Sequence, residues 1–166
     1  MAFEKGEIMG QAIKELFTNY WIISAIVAWF TAQIIKIFTG VFRQREFSVH
    51  AMLFGTGGMP SSHTASVCAL CTAFAVKDGF ASRGFAISAL LCIVVITDAV
   101  GVRRETGKQS QALNTLLGRV FTEKDKKQLP DHFRELIGHT PLQVVCGAIL
   151  GVGVALLVHL IPVFHG

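Results

Sequence analysis

Apolar positions in this chain gather into four blocks joined by polar segments. Residues 20–41 form one long block interrupted by Gln33 and Lys36, and residues 141–164 form another, with Gln143 and His159 as its polar exceptions. Both reach the ~20 residues a helix needs to cross hydrocarbon. Residues 84–102 carry one charge, Asp98, while residues 61–77 are shorter and rich in small side chains, so that block spans only if packed among the others. Ala65, Ala69 and Ala73 recur every fourth residue, and Gly147 and Gly151 form a GxxxG pair. Such stripes either let helix backbones approach closely or simply reflect ordinary membrane-helix composition.

Helical spacing continues outside these blocks. Ile8, Ala12, Ile13, Leu16 and Phe17 make residues 6–18 an amphipathic helix for the membrane interface, and Leu113, Leu116, Leu117, Val120 and Phe121 give a second one lying along the surface. Residues 122–128 are a solvated charge run, after which Pro130-Asp131 caps a short helix ending at Gly138. The pattern predicts an all-α, polytopic membrane helix bundle: a single domain over residues 1–166 with about four transmembrane helices and interfacial amphipathic helices.

Composition agrees with this picture. Of 166 residues 52% are hydrophobic and 16% charged, with mean hydropathy +0.54, which argues against a soluble domain. Residues 1–18 lack the apolar run and cleavage site of a secretory signal, and there are no internal repeats. Cys68, Cys71, Cys92 and Cys146 all fall in apolar blocks, where a thiol behaves as a small hydrophobe; Cys68-x-x-Cys71 has zinc-like spacing without a second pair to complete it. No metal, cofactor or nucleic-acid partner is expected. The expected partners are the bilayer and a lipid.

Candidate chemistry sits at two helix starts and one helix end. Gly55-Thr56-Gly57-Gly58 followed by Pro60-Ser61-Ser62-His63 brings a glycine-rich approach to a helix N-terminus, where unpaired N–H groups attract anions. The same residues also read as a loop with Ser61 or Ser62 as an ordinary N-cap. His139 precedes Thr140-Pro141, and Thr140-x-x-Gln143 has capping-box spacing. Lys36 and Arg43 bring two cations to one membrane face, and Lys36 needs to snorkel or find an anionic partner.

Lys36-x6-Arg43, Pro60-Ser61-Ser62-His63 and Arg134…His139, in this order, resemble the three signature motifs of the type 2 phosphatidic acid phosphatase superfamily, which includes the vanadium haloperoxidases. The run from Asp98 to Lys108 resembles its divergent bacterial and plastid branch. The resemblance covers roughly residues 36–153 and implies metal-independent hydrolysis of a phosphate ester through a phosphohistidine. It implies His139 as nucleophile and His63 as the acid protonating the leaving oxygen. Lys36, Arg43 and Arg134 match the phosphate-clamping cations, with Ser61 or Ser62 and backbone N–H groups completing the cradle.

The chain departs from the pattern at several positions. Gln44 replaces a proline and Phe133 a serine, and Arg134 to His139 is one residue short, which makes Arg103 and Arg104 alternative cations. Gln143 stands where an aspartate orients the nucleophile; it accepts a hydrogen bond but cannot stabilise imidazolium by charge. Asp98 is the candidate replacement, its alternative being a salt bridge to Lys36 or Arg103, and Glu135 is a weaker candidate. His50, His132, His159 and His165 receive no role.

The implied substrate is a lipid phosphate monoester or pyrophosphate such as phosphatidate, phosphatidylglycerophosphate or an isoprenyl phosphate. Two rivals are a weakened relative that binds or helps move anionic lipids and a scaffold docking on anionic headgroups. Lys and Arg excess places the motif loops in the cytoplasm of a cell-membrane protein and both termini outside.

Overall fold

The structure is a computed structural model that describes residues 2–41, 59–120 and 141–162. The described residues form helices with no strand. Helix α1 (Ala2–Phe17) starts ahead of the expected residue 6 and leaves Ile8, Met9, Ile13, Leu16 and Phe17 exposed. It ends where the Thr18 hydroxyl donates to the Lys14 carbonyl. Asn19 then caps α2 (Tyr20–Val41), its side-chain oxygen accepting from the Ile22 N–H at 3.1 Å.

Helix α3 (Ser62–Lys77) leads by a tight turn, with Gly79 at φ +81°, into α4 (Arg83–Thr97), which is capped by Ser82. Past α4 the chain does not leave the helix. A five-residue π-helical turn, Asp98–Val102, passes directly into α5 (Arg103–Val120), so helical backbone is continuous over residues 83–120. The increase in polarity after Val102, which suggested a separate surface helix, instead accompanies one uninterrupted helical run. Helix α6 (Pro141–His159) begins at the expected proline and ends short of the expected residue 164.

Three of these helices are long and apolar enough to cross a bilayer: residues 20–39, 83–113 and 141–159. At 16 residues and about 24 Å, α3 is shorter than the hydrocarbon thickness of about 30 Å, and it lies at the centre, against α2, α4 and α6. Its alanine stripe makes this possible: Ala65, Ala69 and Ala73 are each fully buried. Facing it, a Cβ on Gly147 would come 2.5 Å from the Ser61 carbonyl oxygen, and one on Gly151 would collide with the Ala65 carbonyl. The two stripes of small residues therefore serve backbone-to-backbone approach between α3 and α6.

Hydrogen bonds tie the bundle across its width. Ser66 donates to the Ala25 carbonyl at 3.2 Å, and the buried Tyr20 hydroxyl donates to the Ala155 carbonyl at 3.1 Å. Lys77 closes that end, its ammonium over the rings of Tyr20 and Trp21. Helices α2, α3, α4 and α6 thus run alternately up and down. The end of α2, the start of α3, the π turn and the start of α6 share the opposite end.

Candidate functional site

Buried polarity is concentrated at that opposite end. Four of the six buried polar residues described, Gln33, Ser61, Ser62 and Thr64, lie there, while the rest of the core is mostly alanine and valine. Buried polar groups in a greasy bundle need partners; Ser61 and Thr64 find them in each other and Ser62 in Lys36.

Ser61 is the N-cap of α3. Its hydroxyl oxygen accepts from the Thr64 N–H at 3.4 Å and from the Thr64 hydroxyl at 3.0 Å, so this side chain is engaged within the cap. Its own N–H donates to the Gln143 carbonyl at 3.0 Å, which joins the second motif to the first turn of α6. Gln143 thereby enters the site through its backbone, and its half-buried side chain lies in the same turn.

Ser62, the first residue of α3, receives the other motif. Lys36 Nζ donates to Ser62 Oγ at 3.2 Å, across 26 residues of sequence. Lys36 is half-buried, and among the described residues it meets this hydroxyl rather than a carboxylate. One turn on, the Thr39 hydroxyl donates to the Met59 carbonyl at 3.0 Å, holding the segment before α3 against the end of α2. His63 follows on the first turn of α3 and is exposed.

The arrangement places an ammonium beside a helix N-terminus. Both are positive, so their proximity within apolar surroundings is unfavourable until an anion lies between them. Ser62 offers a short hydroxyl, and beside it lie the N–H groups of Ser62 and His63, ahead of the Thr64 N–H that the Ser61 cap holds. Together they suit a tetrahedral oxyanion.

Asp98 opens the π turn and is half-buried, while its neighbour Ala99 is buried and the turn packs against α6. π turns inside long helices commonly mark functional positions because they reposition side chains relative to a regular helix. Arg103 and Arg104 lie on the first turn of α5. Arg43, Arg134, Glu135, His139 and the glycine-rich residues 55–58 lie outside the described residues, as do Gln44, Phe133, Thr140, the charge run and the short helix expected up to Gly138.

Two participants escaped the sequence reading, Thr39 and Thr64. Each had a signal: Thr39 lies three residues after Lys36 on one helix face, and Thr64 follows Ser61 at the capping distance.

Comparison with known proteins is consistent with this geometry. The model of the divergent PAP2 family, PAP2 denoting type 2 phosphatidic acid phosphatase, matches residues 17–154. The uncharacterized membrane protein YuiD of Bacillus subtilis (strain 168) is 35% identical over 147 residues, covering 83% of this chain and 92% of the relative. No solved structure matches. The matched residues run from the start of α2 to within α6 and include every element of the site, and on that ground the chain belongs to the divergent PAP2 family of membrane proteins.

Proposed function

We propose that this protein hydrolyses a lipid phosphate, a monoester or pyrophosphate, without a metal and through a phosphohistidine. The observation that carries the reading is the contact of Lys36 with Ser62 at the N-terminus of α3, which joins one residue from each of the first two motifs and supports reading them as an oxyanion site. Lys36, the Ser62 hydroxyl and the N–H groups of Ser62 and His63 hold the equatorial phosphoryl oxygens, with Arg43 and either Arg134 or the Arg103-Arg104 pair completing the clamp. His139 attacks phosphorus and the P–O bond to the lipid breaks. His63, exposed beside the cradle, protonates the departing oxygen, and water then cleaves the phosphohistidine. Asp98 supplies the carboxylate that orients His139. A bilayer-level site suits phosphatidate, phosphatidylglycerophosphate or an isoprenyl phosphate better than a soluble ester.

Gln143 favours a second reading, in which a weakened relative binds anionic lipids without turnover. Purified protein in nanodiscs, offered a panel of lipid phosphates in EDTA, separates the two. Phosphate release with a preferred lipid is the expected result. Headgroup-selective binding with no release would favour the second reading.

A further inference from the structure

Two thiols with no part in the proposed chemistry meet across the interface of α3 and α4. Cys68 Sγ lies 3.3 Å from Cys92 Sγ, with Cys68 buried and Cys92 half-buried in the apolar middle of their helices. Elsewhere on the described helices Cys71 and Cys146 are free thiols.

We propose that Cys68 and Cys92 are an oxidation site that forms a reversible disulfide joining α3 to α4. The sulfurs need to approach by only about 1.2 Å to reach bonding distance, a shift within the reach of side-chain rotation. Each thiol loses its proton as one S–S bond forms. The two electrons and two protons pass to an uncharged, membrane-permeant two-electron acceptor of the quinone or diazene class. The location of the pair within the bundle favours such an acceptor over water-soluble glutathione.

The position gives the bond a consequence. Cys68 lies six residues after Ser62 and Cys92 six residues before Asp98, so the link sits about 9 Å along each helix from the site. Oxidation would fix the spacing between the N-terminus of α3 and the π turn. This inference stands independently of whether the chain hydrolyses a lipid.

Full-length protein in detergent is oxidised with diamide, denatured, alkylated with N-ethylmaleimide and weighed intact. Reduced chain carries four adducts, one for each cysteine. Oxidised chain is expected to carry two, to regain all on treatment with dithiothreitol, and to yield a Cys68–Cys92 linked peptide. A Cys71→Ala/Cys146→Ala chain keeps the pair and is expected to lose both of its adducts on oxidation. Full alkylation after diamide, or linkage through Cys71, Cys146 or a second chain, overturns the proposal.

Discussion

A lysine half-buried beside a helix N-terminus sets two positive charges together, and the charge rather than the hydrogen bond is what an anion would recognise. Lys36→Gln keeps a donor for Ser62 and removes the charge. On the proposed function, lipid phosphate turnover falls by roughly 10²–10³-fold, the range for losing one fixed donor to transition-state charge. Initial rates and a melting curve on the same preparation check this, and an undiminished rate would remove Lys36 from the phosphate clamp. Gln143 and Asp98 are ranked by charge. The contact from Gln143 to Ser61 runs through its carbonyl, which Gln143→Ala retains. Asp98→Asn deletes the charge proposed to orient His139, so it is expected to depress the rate far more than Gln143→Ala. The reverse order in kcat would return the orienting role to Gln143. Vanadate, which adopts the trigonal bipyramidal geometry of the transferring phosphoryl group, is expected to inhibit competitively, while EDTA leaves the rate unchanged. Chelation that abolishes turnover, restored by a divalent cation, would contradict the metal-free route.

At the level of helices, the contact between α3 and α6 allows no extra atoms. The Ala65 carbonyl that a new methyl on Gly151 would strike belongs to backbone, so Gly151→Ala has to push the helices apart; a loss of about 1–3 kcal/mol is expected, read as a lowered unfolding midpoint in detergent. Gly153, with nothing near its Cβ position, is the control, and equal loss at both positions would refute close approach as the reason for Gly151. The two small-residue stripes were visible in the sequence because spacing by four is a local property of one helix, but not that they face each other. The start of α6 at Pro141 was legible for the same reason, as was a cap at Ser61 or Ser62, which the structure assigns to Ser61. Pairings across helices were not. Nothing in the spacing of Lys36 and Ser62, or of Cys68 and Cys92, says that they touch, because contact depends on how separate helices rotate and slide against each other. The continuity from α4 through α5 was hidden for another reason. Gly101 and the arginines after it mimic a helix end, whereas the chain holds its helix through a π turn.

For the whole molecule, the alternation of helices puts the end of α2, the start of α3 and the start of α6 at one end, and the cations that the sequence holds between them set an expectation for sidedness. In sequence, the stretches 42–61 and 103–140 hold Arg43, Arg45, Arg103, Arg104, Lys108, Arg119, Lys124, Lys126, Lys127 and Arg134, against Lys5, Lys14, Lys77 and Arg83 in the stretches 1–19 and 77–83. From the positive-inside rule we propose that the site faces the cytoplasm. In a chain lacking its four cysteines, a cysteine at Lys77 is expected to react with an impermeant thiol reagent on intact cells and one at Ser110 to stay protected. Labelling at Ser110 alone would invert the topology. The central claim, that the bundle turns over a lipid phosphate through an imidazole, is tested most directly by trapping the intermediate. Protein mixed with radiophosphorus-labelled phosphatidate, phosphatidylglycerophosphate or isoprenyl phosphate is quenched in alkali within one turnover and mapped. The account predicts acid-labile, alkali-stable label on His139 with at least one of these lipids, absent from His139→Ala; phosphate release with no label on any histidine would contradict it.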